Sequence, residues 1–242
     1  MMGAVKDLID TTEMYLRTIF ELEEEGIPPM RARIAERLGH SGPTVSQTIA
    51  RMERDGLVSL SRDRHLVLSE EGQHQATRVM RKHRLAERLL SDVIGLDWEY
   101  VHDEACRWEH VMSDRVERKI LAMLPEHRES PYGTPIPGVE ELLGGDEEPS
   151  DDYLTGLMNL VEVVDAKLGG DFRVRRIGEP AQVDREALSL LTSARLRPGE
   201  VVWVTEAGAE GSVVVTRSGA AAADGVTLPL DVAQHVFVEP LA

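Results

Sequence analysis

Six side chains of the kinds that bind transition metals recur at helical spacing in the middle of the chain. His83 and Glu87 stand at i and i+4, and His102, Cys106, Glu109 and His110 at i, i+4, i+7 and i+8. At about 100° per residue the second set spans an arc of about 100°, so all four project to one side of a helix. Thiolate, imidazole and carboxylate together are first-row transition-metal ligands. Taken singly, a cysteine reads as core and a His/Glu pair as a surface ion pair. Four ligand types on one stripe, with a pair on the neighbouring helix, outweigh that reading. Cys106 is the single cysteine, so neither a four-thiolate nor a two-cysteine, two-histidine zinc site can form within the chain.

These residues need helices to carry them. Ser69 caps a long helical pattern to about Val93, with Ala76, Val79, Met80, Ala86, Leu89 and Leu90 apolar, and Asp97 caps the helix of the four-residue stripe. Residues 113–124 read as one more short helix. Upstream, residues 10–13 (DTTE) form a capping box that opens a helix with Met14, Ile19 and Leu22 near one face, ending about Gly26. A short helix over 31–38 closes at Gly39; Ser41 then caps a helix whose buried stripe is Val45, Ile49 and Met52. Val58 and Leu60, a turn at 62–64, then Leu66 and Leu68 alternate as a hairpin. Helix, turn, helix and basic-tipped hairpin make a winged helix-turn-helix pattern.

That pattern has its own chemistry. The helix opened by Ser41 and Pro43 leaves Thr44, Ser46, Gln47, Arg51 and Arg54 on its outward side. Its N-terminal end suits a major groove, where Gln47 would read an adenine edge and Pro43 touch a thymine methyl. Arg31, Arg33, Arg51, Arg54 and the hairpin-tip Arg64 would hold phosphates and fix register. The plain alternative is a solvated helix face with a surface hairpin. The 242-residue chain has a formal charge of -16, but the excess is uneven: residues 1–75 are net -4, residues 76–139 net -1 and residues 140–242 net -11. Within 27–67, seven Arg face four acidic residues, and it is the local field that meets phosphate. No apolar run reaches the roughly 18 residues of a membrane span. A lone cysteine and a start without the pattern of an export signal imply a reduced, cytoplasmic setting.

The segments DLIDTTEMYLR (7–17), RARIAERL (31–38), SGPTVSQ (41–47), MRKHRLAERLL (80–90) and HDEACRWEHVMS (102–113) resemble the diphtheria toxin repressor family, in particular its iron-dependent regulators. The resemblance runs from residue 6 to about 140. It implies an ancillary metal site of His83, Glu87 and His102 and a primary site of Met14, Cys106, Glu109 and His110; Met14 comes from the resemblance alone. Sulfur ligands favour Fe(II) over the manganese of carboxylate-bearing relatives, with Mn, Co, Ni or Zn as substitutes in vitro. The implied fold is mainly α with a small β domain: a winged helix-turn-helix, a helical dimerisation domain and a C-terminal SH3-like barrel.

Residues 130–138 (SPYGTPIPG) are stiffened and extended by prolines, and in relatives such a stretch docks on the protein's own barrel. Relatives also bind an anion near the positions of Arg84, Ser130 and Thr134, the last commonly Asn. GGDEEPSDD (144–152) is a flexible acidic tract. Beyond it, short alternating runs at 172–177, 201–205, 212–216, 226–230 and 235–238 read as barrel strands, with 184–191 helical. By position, Glu179 and Gln182 match the barrel's two ligands to the ancillary metal. The domains are thus 1–75 for DNA, 76–143 for metal and dimerisation, 144–170 as linker and 171–242 as the SH3-like unit. The function implied is an Fe(II)-activated homodimeric repressor of iron uptake and storage genes, bound to a palindromic operator as one or two dimers. A manganese-responsive regulator of the same family is the alternative. A metal-dependent hydrolase would need a catalytic arrangement such as HExxH, which is missing, and a regulator sensing an organic ligand leaves the metal stripe unexplained.

Overall fold

The computed structural model describes residues 10–144, 153–205, 212–219 and 225–241. Asp10 accepts from the amides of Thr12 and Glu13 and so starts α1, Thr11–Glu24. The Glu13 side chain does not return the bond expected of a capping box; it pairs with His110 instead. α2, Arg31–Leu38, ends at Gly39 with φ 63°, and Ser41 caps α3, Gly42–Arg54. The strands β1, Val58–Leu60, and β2, Leu66–Leu68, pair antiparallel as the wing. Tyr15, Leu16, Ile19, Ile34, Val45, Ile49, Met52 and Leu66 close the first core, so the stripe read from α3 is the buried one.

Ser69 caps α4, Glu70–Arg88, which continues through a π-helical turn, Leu89–Ile94, closed by Gly95. α4 is the spine of the molecule. Its Ala76 and Met80 belong to the first core, whereas Leu85, Ala86 and Leu90 belong to a second. The domain break expected at 75/76 therefore falls inside one continuous helix. α5, Trp98–Trp108, and α6, Asp114–Met123, pack on α4. Asp97 and Ser113 precede them without making a side-chain cap.

Residues 130–138 do not run straight as their prolines suggest. The Ser130 amide donates to Thr134 O and the Gly133 amide to Ser130 O, which folds the stretch into a turn. Gly133 has φ 78°, and a Cβ there would lie 1.8 Å from the Arg175 carbonyl oxygen, so only glycine allows this approach. The turn docks on the C-terminal unit: Ile177 N–H donates to Tyr132 O, and Arg176 Nε to Gly133 O. A short α7, Glu140–Leu143, follows.

Residues 145–152, most of the acidic tract, lie outside the described residues. The remainder of the expected linker is not a tether. β3, Met158–Asn159, and α8, Leu160–Asp165, carry a complete capping box between Asn159 and Glu162 and bury Leu160 and Val163 in the second core. Then come β4 (Asp171–Ile177), α9 (Glu179–Val183), α10 (Arg185–Ser193), β5 (Val201–Thr205), β6 (Ser212–Arg217), β7 (Val226–Pro229), α11 (Leu230–Ala233) and β8 (Val236–Pro240). The six strands pair antiparallel in the order β3-β8-β4-β5-β6-β7. Among the described residues no pairing joins β3 to β7, so the expected barrel is an open sheet. The second core runs unbroken from α4, α5 and α6 into this sheet. No described helix is long and apolar enough to cross a membrane.

Candidate metal centre and nucleic-acid interface

α1 turns a charged face inward. Glu13, Arg17, Glu21 and Glu24 fall within an arc of about 80°, and each meets an ionisable partner. Glu13 Oε2 lies 2.7 Å from His110 Nδ1, Arg17 Nη1 2.8 Å from Glu109 Oε2, Arg17 Nε 2.9 Å from Glu21 Oε1 and Glu24 Oε2 2.6 Å from Arg84 Nη2. Met14 sits half-buried between Glu13 and Arg17 in sequence and packs against the first core.

The expected ligands of α4 and α5 come together. His83 Nε2 is 2.8 Å from Glu87 Oε1 and 3.2 Å from His102 Nδ1, which is itself 3.2 Å from Glu87 Oε1. Cys106 Sγ lies 3.4 Å from His102 Nε2, and His83 Nδ1 lies 2.6 Å from Glu109 Oε2. These last two contacts bridge the ancillary and primary sets, and His83, His102 and Cys106 offer ligand atoms within 4.8 Å of one another. α5 ends at Trp108, so Glu109 and His110 leave from the following turn rather than from the helix itself. They keep to the cluster because the Glu109 amide still bonds Ala105 O in helical fashion.

Burial is the largest influence on the ionisation of these groups, and their neighbours outweigh it. It pushes Glu109 up, but Arg17, His83 and His110 bring the carboxyl down to about 2. Burial likewise raises the Cys106 thiol, yet Arg17 and His102 hold it well below its usual range. His83 and His102 are held charged against burial, His83 chiefly by Glu87 and His102 chiefly by the Cys106 sulfur and Glu179. The cluster thus sets the buried Glu109 and the half-buried Cys106 beside two imidazoles and a guanidinium.

Glu179 and Gln182 arrive from α9. Glu179 Oε2 is 3.4 Å from His102 Nδ1, and Glu179 Oε1 is 3.8 Å from Arg84 Nη2, yet neither oxygen receives a hydrogen bond. Gln182 Nε2 donates to Ile177 O while its Oε1 is buried without a donor, as is Glu87 Oε2. Buried oxygens left without donors are costly. Glu87 and Glu179 both reach His102, and two carboxylates with oxygens to spare beside two imidazoles are a donor set that fits a divalent cation. Arg84, Ser130 and Thr134 are committed elsewhere: Arg84 pairs with Glu24 and donates to Pro135 O, and the two hydroxyls lie 2.7 Å apart.

On the other face, Ser41, Pro43, Thr44, Ser46, Gln47, Arg51 and Arg54 of α3 and its cap are exposed, as are Arg33 and the wing's Arg64. Arg64 takes φ 64° at the hairpin tip, where its amide bonds Ser61 O. Arg31 is half-buried, 3.7 Å from Glu53, while Arg33 pairs with Glu36 and Arg51 Nη2 donates to Thr12 Oγ1.

Sequence reasoning missed Glu13 and Arg17. Their signal was the four-residue charged stripe of α1, which ordinarily marks a solvated face.

Comparison with known proteins agrees with this arrangement. Residues 7–66 match the family model of the iron dependent repressor N-terminal DNA binding domain, and residues 69–138 that of the metal binding and dimerisation domain. The chain is 54% identical over 239 residues to the diphtheria toxin repressor of Corynebacterium efficiens, covering 97% of each. It is 52% identical over 237 residues to the iron-dependent repressor IdeR of Mycobacterium tuberculosis, covering 97% of this chain and 99% of that one. Among solved structures, a manganese-dependent transcriptional repressor in complex with manganese superposes with a TM-score of 0.77 at 29% identity, over 96% of this chain and all of that one.

Proposed function

Because the chain belongs to the iron-dependent repressor family, we propose that its metal centre works by tying α1, and with it the DNA-binding helices, to the dimerisation helices. The observation that carries this is that α1 lies against the end of α5 and the turn after it, which bear Cys106, Glu109 and His110, as the Glu13–His110 pair marks. Met14, Cys106, Glu109 and His110 form the primary site, and His83, Glu87, His102, Glu179 and Gln182 the ancillary one. Bound Fe(II) supplies two positive charges and directional bonds to ligands from separate elements. The thioether of Met14 and the thiolate of Cys106 support iron over manganese. The reduced cytoplasm is the compartment in which that thiolate persists.

Ligand binding shifts a conformational equilibrium only through its preference for one state. Ligands drawn from α1, α5 and α9 give that preference, because their distances from one another depend on how the helices sit. A homodimer bearing two α3 helices fits a palindromic operator, occupied by one or two dimers, with Gln47 and Pro43 at base edges and Arg31, Arg33, Arg51, Arg54 and Arg64 on phosphates. The hydrolase reading fails on the family assignment.

Fluorescence anisotropy with a labelled operator under anaerobic conditions tests the proposal. Chelated protein binds weakly and Fe(II) restores binding; Cys106→Ala and Glu109→Ala lose the response, whereas His83→Ala shifts the metal dose. Equal operator affinity with and without Fe(II) would sink it.

A further inference from the structure

Arg17 lies at the middle of this centre, and no ligand scheme uses it. Its side chain is only 11% exposed. Nη1 donates to Glu109 Oε2 at 2.8 Å and to Cys106 Sγ at 3.2 Å, and it lies 3.2 Å from His83 Nδ1. One guanidinium nitrogen thus touches two proposed primary-site ligands and one ancillary ligand at once. Charge balance explains the placement. Glu109 is buried and Cys106 half-buried, and a carboxylate taken out of water needs a counter-charge.

We propose that Arg17 is a built-in competitor for the metal: a resident cation that compensates Cys106 and Glu109 in the metal-free protein and must withdraw for a divalent ion to reach them, thereby setting the metal concentration at which the protein responds. This rests on the assignment of Cys106 and Glu109 as ligands and adds the device that tunes them. A guanidinium and a divalent cation cannot both lie against Glu109 Oε2 and Cys106 Sγ, since their like charges would sit within bonding distance of the same atoms.

The structure also holds a place for the displaced group. Arg17, Glu21, Glu36 and Glu179 line a cavity of about 490 Å³ between α1, α2 and α9. Glu21 Oε1 is 2.9 Å from Arg17 Nε but out of line for a hydrogen bond, so the oxygen is buried without a donor. A guanidinium that turns toward the cavity can bring a donor into line with this oxygen as it gives up Glu109. Arg17 and Met14 are three residues apart on α1, so withdrawal of one and ligation by the other engage the same turn of helix.

Competition has a sign that a structural role does not share. If the ligand-free site is filled by Arg17 most of the time, apparent affinity is reduced by the fraction of molecules in which it is withdrawn. A neutral residue therefore tightens metal binding, whereas loss of a structural tie between α1 and α5 weakens it. Co(II) is the probe, because its thiolate-to-metal charge-transfer band reports binding at Cys106. Arg17→Gln binds Co(II) about tenfold or more tightly than the unmodified chain, which corresponds to Arg17 occupying the site in about nine molecules of ten. Arg17→Lys, which keeps the charge, stays close to the unmodified protein.

Thermal melting gives a second readout that holds even where the metal-free variant melts low. The rise in Tm on saturation with Co(II) is larger for Arg17→Gln than for the unmodified chain. Unchanged or weaker Co(II) binding in Arg17→Gln, or an equal gain in Arg17→Lys, overturns the role of Arg17 while leaving the ligand assignment intact. Absence of the charge-transfer band in the unmodified protein removes the assignment of Cys106 and the proposal with it.

Discussion

At Glu179 a buried carboxylate receives no hydrogen bond although His102 and Arg84 lie 3.4 and 3.8 Å away. Such a group costs stability in the metal-free fold and returns it when a cation binds. Glu179→Gln, by removing the charge, should raise the chelated protein's Tm by about 2–4 °C, as about 1 kcal/mol does for a chain of this size. It should also raise the Fe(II) needed for half-maximal operator binding, because an anionic ligand is lost. Calorimetry under chelation, paired with an Fe(II) titration, checks both; a lower Tm with an unchanged iron requirement would make Glu179 an ion-pair partner of Arg84 alone. Six of the candidate ligands were legible because imidazole, thiol and carboxylate recurred with helical period. Met14, Glu179 and Gln182 followed only from resemblance, since a methionine on an amphipathic helix and a polar pair around Pro180 carry no pattern of their own. Arg17 was illegible because its burial depends on which helix covers α1, and periodicity does not say that.

Elements were read best where their ends are chemical. Asp10, Ser41 and Ser69 accept the amides expected of N-caps, and Gly26, Gly39 and Gly95 take positive φ after their helices. The π-helical turn at Leu89–Ile94 and the end of α5 before Glu109 had no such marker, and tertiary packing decided them. In the proposed function α3 is the element whose outward face meets base edges. With Val45, Ile49 and Met52 fully buried beneath it, Gln47 and its neighbours are fixed in direction, which direct readout requires. Gln47→Ala should therefore lower operator discrimination by about 1–3 kcal/mol. Arg64→Ala, on the wing, should weaken all DNA sequences alike and reduce the slope of log K against log salt by about one. Competition binding at several salt concentrations separates the two, and full operator preference in Gln47→Ala would shift discrimination to DNA shape.

Two cores joined through α4 make the whole molecule less modular than its charge pattern suggests. The C-terminal unit reaches back to the DNA-binding helices through a cavity that His235 shares with Arg37. Burial, aided by Arg37, lowers the His235 pKa to about 4. A depressed histidine costs nothing above its unfolded value of about 6.5, where both states are neutral. As pH falls from there to about 4 the unfolded chain takes up a proton that the fold refuses, so stability drops, on the order of 2 kcal/mol after allowance for solvent exposure. His235→Asn should flatten the fall in Tm between pH 7 and pH 4.5. Truncation after Gly144 tests the same coupling on a larger scale. The acidic last third read as a detachable module, yet Trp98 and Tyr132, whose rings lie 4.9 Å apart, share a core with Phe172, Val174 and Ile177, and Arg197 lies 5.0 Å over the Trp98 ring. Cutting at 144 uncovers that apolar surface and removes Glu179 and Gln182. The truncated chain should melt well below the full one, bind a hydrophobic dye, and still bind operator only with metal, at a higher iron dose. Melting and dye binding unchanged from the full chain would mean that the helical core closes by itself and that the C-terminal sheet only rests upon it.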